Sequence, residues 1–146
     1  MHTPPPVHGS SMVGEYISKS ELINTTFDTQ FINLGTSAKI DEIGKGSVKK
    51  LFKYFGILWE TIYHCIFFSP QVGYLAMTAK GGAFFKDVLV GFLLKFFGVK
   101  LVIHFHNKGV SVNQHKKIYD LLYKKIFKNS KVILLSKYLY LSLIHI

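Results

Sequence analysis

Acidic residues are scarce in this chain, and cysteine and proline scarcer still. Eight Asp and Glu stand against 18 basic residues in a length of 146, for a net charge of +10. The single cysteine, Cys65, excludes an internal disulfide and fits a reducing compartment. Three of the four prolines are consecutive, at Pro4, Pro5 and Pro6. They break up the opening residues, which do not read as a secretory signal. An apolar run long enough for a membrane span, about 20 residues, is also missing. The greasiest stretch, residues 83–105, is interrupted by Lys86, Asp87, Lys95, Lys100 and Gly98. Each charge at mid-span costs roughly 2.5–3.5 kcal/mol on insertion scales. It reads as helix, turn and strand instead. There is no Walker loop, no Cys-x-x-Cys, no paired-carboxylate arrangement, no internal repeat and no low-complexity tract.

What is present is apolar and aromatic. Hydrophobic residues make up 49% of the chain, with 13 Phe and 8 Tyr. That is enough to build a core and to exclude disorder for most of the length, and the length bounds the chain to one domain. The lysine excess reads first as solvated helix faces. The sharper alternative is an anionic partner: nucleotide phosphate, anionic lipid or nucleic acid.

Periodicity divides the chain into alternating elements. Ser10 or Ser11 is placed to cap a helix running to about Ser20, with Glu15 in its early turns. Residues 27–34 form a short β-like run with Phe27, Ile32 and Leu34 as its apolar members. Residues 35–46 are polar and punctuated by glycine. Ser47 caps a long helix whose Val48, Leu51, Phe52, Phe55, Leu58, Trp59, Ile62 and Ile66 follow the helical apolar rule. They predict a buried stripe, with Lys49, Lys50 and Lys53 on other faces. Strands are expected at 72–77, 101–105 and 132–135. Helices are expected at 84–97, ended by Gly98, and at 113–127, with Ile118, Leu121, Leu122 and Ile126 inward. Strands alternating with helices predict an α/β fold, a parallel sheet flanked by helices.

Two loops carry chemistry-bearing residues and would lie at the carboxyl ends of strands, where ligands bind in such sheets. In the first, the prolines give an extended, rigid approach, and Gly9 leaves its backbone open to a ligand. The helix that follows offers free N–H groups that favour phosphate. An ordinary capped helix after a proline turn explains the same residues. The second is Lys100-Leu-Val-Ile-His-Phe-His-Asn-Lys-Gly109, which reads as a buried strand that ends in imidazoles, an amide, an ammonium and a glycine. Residues two apart on a strand share a face, so His104 and His106 point the same way. A metal would need a third ligand, and none is near in sequence. His104 reads as a core histidine with a hydrogen-bonded partner. His106, beside Asn107 and Lys108, is placed to hydrogen-bond a hydroxyl, with Lys108 toward an anion. Ser136 follows the last strand, where it would touch a ligand or cap a helix.

At these residues the sequence resembles the N-terminal domain of the family 4 glycosyltransferases, which adopt the two-domain GT-B fold. Pro4-Pro-Pro-Val-His-Gly9-Ser-Ser matches that family's proline and glycine loop, with His8 where the first of two glycines is common. Leu101-Val-Ile-His-Phe-His106 matches the end of its fourth strand, and Val132-Ile-Leu-Leu-Ser136 the end of its fifth. The resemblance implies a Rossmann-like sheet and a retaining transferase. The sugar would pass from a nucleotide-sugar co-substrate to a glycan or lipid-linked acceptor, as in polysaccharide biosynthesis, with no metal and no other cofactor. It implies a catalytic role for His106 at the reaction centre. It implies a donor contact at Gly9; Ser10, Ser11, Asn107, Lys108 and Ser136 are expected as further substrate contacts from the residues themselves. A cytoplasmic protein is expected, in peripheral contact with the inner face of the membrane, and nucleic acid is not expected as a partner. The family's first strand would precede Thr3, so it is expected to be largely missing. Residues 1–140 would be the acceptor-side domain. Residues 141–146 resemble a translated sequencing-adapter end. A piece truncated at both ends is expected to be inactive on its own, since it supplies one wall of a two-walled cleft. The rival reading is a non-enzymatic basic module that binds anionic membrane or nucleic acid. A sugar-nucleotide epimerase is disfavoured by the missing Gly-x-Gly-x-x-Gly.

Overall fold

The computed structural model describes residues 1–37, 47–106 and 110–135. They fall into two compact units, Met1–Ser69 and Pro70–Ile146. In chain order the elements are α1 (Gly9–Ser18), α2 (Glu21–Thr26), α3 (Val48–Phe67), β1 (Val72–Met77), α4 (Gly81–Phe96), β2 (Lys100–Phe105), α5 (Val110–Asn113), α6 (Lys117–Phe127) and β3 (Lys131–Leu134).

The second unit is an open α/β layer. Its three strands lie in the order β1-β2-β3 and both pairings are parallel. Val72 pairs with Lys100, Ala76 with His104 and His104 with Ile133. One face of this sheet meets helices: α4 packs on β1 and β2, and on α6. Gly73, Leu75, Leu101 and Ile103 point that way, as shown by Gly91 of α4, whose added Cβ would touch both Leu75 and Ile126. Leu75, Leu101, Ile103, Phe105, Phe84 and Ile126 are fully buried there. Gly98, at φ 78°, occupies the left-handed region that ends α4 and turns the chain into β2. Lys95 donates from Nζ to the carbonyls of Lys125 (3.1 Å) and Lys128, satisfying the free end of α6.

Sequence and structure differ on α6. Ile118 and Leu121, expected inward, are exposed, and Tyr123 takes the buried position with Ile126. The reason is polar. The Tyr123 hydroxyl donates to the Ala79 carbonyl, and the Gly81 N–H donates to the Tyr119 hydroxyl at 3.2 Å. Both bonds anchor the loop between β1 and α4. They are available only when the tyrosines face inward, where Phe84 also stacks on Tyr119 with ring centres 4.9 Å apart.

In the first unit the run at residues 27–34 forms no strand. Its pairing among the described residues is with the chain start. The Met1 amino group donates to the Ile32 carbonyl and the Leu34 N–H donates to the Met1 carbonyl, both at 2.8 Å. This is the alternation of a parallel ladder, one residue long. Asn33 competes for its neighbours, accepting from the N–H groups of Thr3 and Gly35. On α3 the expected stripe is corrected as well. Ile57, Thr61 and Cys65 are the buried residues, while Val48, Leu51, Phe52, Phe55, Trp59 and Ile66 are exposed. Thr61 satisfies its hydroxyl on the Ile57 carbonyl at 2.8 Å, so it can be buried on this face.

Candidate functional site

The chemistry-bearing residues form two groups, one in each unit. In the first, the chain bends through residues 4–6, where an extended approach was expected; the Pro4-Pro5 and Pro5-Pro6 peptide bonds are cis. His8, rather than Ser10 or Ser11, caps α1. Its Nδ1 accepts from the Ser11 N–H at 3.2 Å, and the Ser11 hydroxyl accepts from the His8 N–H at 2.9 Å. This is a reciprocal capping box with histidine in the place of serine. Nδ1 is therefore the acceptor in this cap. The Ser10 hydroxyl lies 3.0 Å from the same Nδ1. Ser11 also donates to the carbonyls of Pro6 and His8, both at 2.9 Å, and is completely buried. Its role in the fold is to lock the turn. Gly9 is exposed, and a Cβ added there would meet nothing within 4 Å. Nothing in the fold requires glycine at that position.

The second group stands at the carboxyl end of β2, on the sheet face away from α4. His104 is buried, as expected for a core histidine, and its partner is the Tyr74 hydroxyl, 2.6 Å from Nδ1. Tyr74 pairs with Val102 in register, so it reaches His104 on the diagonal between adjacent strands. Burial pushes the Tyr74 phenol up to about 12 and holds the His104 imidazole below its usual range. Both groups are therefore neutral near pH 7, and their bond joins a phenol to an uncharged imidazole. Nε2 of His104 is buried with no hydrogen-bond partner among the described residues. The His106 ring rests on that of His104, with centroids 4.1 Å apart and 36° between planes. The shared face expected from their spacing is thus observed, and the Tyr74 bond fixes the ring against which His106 stacks.

Among the described residues no three His, Cys, Asp or Glu side chains group closely enough to hold a metal ion. Asn107, Lys108 and Ser136, the other expected contacts, lie outside the described residues, as does the segment 141–146. Gly9, Ser10 and Ser11 are gathered on the His8 turn in one unit, and His106 is set in the other.

Two residues here went unread in the sequence. Tyr74 was hidden because its partnership depends on strand register, a long-range property. Asp87 had a local signal, a lone carboxylate inside an apolar helical run. It is buried on α4, and its Oδ2 accepts from the Thr78 N–H at 2.8 Å, just past the end of β1. Compared with protein-family models, with curated proteins and with solved structures, the chain has no match.

Proposed function

We propose that this chain is the acceptor-side domain of a retaining glycosyltransferase with a Rossmann-like sheet, the N-terminal half of a GT-B fold. The observation that carries the reading is the paired imidazole at the open end of β2: His104 held by Tyr74, and His106 stacked upon it. In parallel α/β sheets that end of the strands is where ligands bind. A neutral imidazole can accept from one sugar hydroxyl and donate to another. His106 would orient the sugar undergoing transfer. The open backbone of Gly9, at the start of α1, supports a second role, close approach by the donor phosphates. No metal is invoked, because amide dipoles and lysines would carry the phosphate charge.

The test is transfer from a panel of nucleotide-sugars by the full polypeptide that the gene encodes. His106→Ala should lower turnover at least 100-fold while shifting the melting temperature by only a few degrees, since His106 is half-buried at a strand end rather than in the core. Gly9→Val should keep the fold and lose transfer. Transfer at the parental rate by the His106 variant would remove the site assignment.

A further inference from the structure

The apolar arc of α3 is wider than the described residues cover. Ile57, Thr61 and Cys65 fill one side of this 20-residue helix. Phe52, Phe55, Trp59 and Ile66 recur at helical spacing on another, and Phe52 is 73% and Trp59 71% exposed. An isolated exposed apolar residue is ordinary, but a contiguous aromatic stripe marks an interaction surface. The helix carries one acid, Glu60, against Lys49, Lys50 and Lys53, and Lys49 and Lys53 are exposed along the edge of the stripe. Among the described residues no helix is long and apolar enough to cross a membrane. An exposed apolar stripe edged by lysines is the pattern with which amphipathic helices can lie in the plane of a bilayer surface.

We infer that α3 docks the protein onto an anionic lipid surface, with Phe52, Phe55 and Trp59 entering the boundary between headgroups and acyl chains and Lys49 and Lys53 meeting anionic headgroups. Charge selects this occupant. The chain has a net charge of +10, and every one of its 18 basic residues is lysine. Lysine is a compact point charge suited to a diffuse anionic surface. The guanidinium fork that reads phosphates and base edges in pairs is missing from the whole sequence. Tryptophan within an exposed apolar stripe suits the interface, where the ring body is apolar and its N–H can meet water. The inference does not depend on sugar transfer, and its test reads no transfer.

Trp59 is the chain's one tryptophan, so its emission reports on α3 alone. The 146-residue chain is titrated with vesicles of phosphatidylcholine, with and without about 30% phosphatidylglycerol, following Trp59 emission, acrylamide quenching and co-sedimentation. Anionic vesicles should shift Trp59 to the blue and shield it from quencher; neutral vesicles should bind far more weakly. Lys49→Gln with Lys53→Gln should weaken partitioning roughly 25-fold, about 5-fold per lysine. Phe52→Ser with Phe55→Ser should weaken it at least 100-fold. Phe96→Ser on α4, where Phe96 is 84% exposed, and Lys117→Gln with Lys125→Gln on α6 serve as controls and should bind as the parent does. Circular dichroism checks that each variant is folded. Binding to neither vesicle, or binding unchanged by the α3 variants, overturns the inference. So does self-association that the Phe52 and Phe55 changes dissolve, which would make the occupant a second copy of the chain.

Discussion

Asp87 turns its carboxylate back from the second turn of α4 to the Thr78 amide and is almost wholly buried. Burial pushes its acid up to about 6, against a smaller downward pull from the Thr78 hydrogen bonds and from Lys86. A carboxyl raised in the folded state contributes its stability below the unfolded pKa, near 4, and loses it as pH rises through about 6. A rise of roughly two units corresponds to a loss on the order of 3 kcal/mol between pH 4 and 7. Asp87→Asn does not titrate, and its amide oxygen can still accept from Thr78. The variant should therefore match the parent near pH 4 and exceed it by about 2–3 kcal/mol near pH 7 in chemical denaturation followed by circular dichroism. His104 titrates in the opposite sense. Its folded pKa is lowered, so it loses stability as pH falls below about 6.5. Subtracting the two denaturation curves at each pH cancels the His104 contribution and leaves Asp87. A difference that stays flat from pH 4 to 7 would mean that Asp87 titrates as an ordinary surface carboxylate.

The packing of α4 against β1 and α6 depends on one missing side chain. A Cβ at Gly91 would stand 2.6 Å from Cδ1 of Ile126 and 3.2 Å from Cδ2 of Leu75, both fully buried. Gly91→Val forces those atoms apart in a closed core and should cost about 2–3 kcal/mol, read as a lowered denaturation midpoint. Gly82→Val, where a Cβ meets nothing within 4 Å, is the control and should cost much less. This scale also shows what the sequence could and could not reveal. β1 is found at residues 72–77 as predicted, and β2 and β3 begin one residue before their predicted starts, at Lys100 and Lys131. The apolar runs of all three strands, β-branched in β2 and β3, and the Gly98 stop are local signals. The buried faces were not legible on α3 or α6, where two apolar arcs compete; on α6 the tyrosine bonds to Ala79 and Gly81 choose between them. Thr61 and Cys65 win over Phe52 and Phe55, and Tyr123 wins over Leu121. The run at 27–34 failed as a strand for a related reason. A strand is defined by its neighbour, and Met1 supplies one residue of pairing. At the site, spacing alone set His104 and His106 on one face. The Tyr74 partner and the histidine cap of α1 needed the folded register.

The chain as a whole divides between Ser69 and Pro70. Ser69, at φ 50°, takes a left-handed conformation that serine seldom adopts, and the proline after it cannot continue a helix. If the division is energetic as well as geometric, damage in one unit should leave the amide protection of the other intact. Gly14 offers a sharp way to damage the first. A Cβ on this residue of α1 would lie 1.9 Å from the His2 carbonyl oxygen and 3.0 Å from its carbon. Those are backbone atoms, so no rotamer change relieves the clash. Gly14→Ala must lift the first residues off α1, and with them the bonds from Met1 to Ile32 and from Leu34 to Met1. Two backbone hydrogen bonds are worth roughly 1–3 kcal/mol together, which corresponds to exchange about 5- to 150-fold faster. Hydrogen exchange read by mass spectrometry should show that acceleration at buried Leu34 and in peptides from residues 1–34. Peptides covering β1 and β2 should exchange as in the parent protein. Equal acceleration in both sets would mean that the two units unfold as one, and that the break at Ser69 is a feature of shape without a matching boundary in stability.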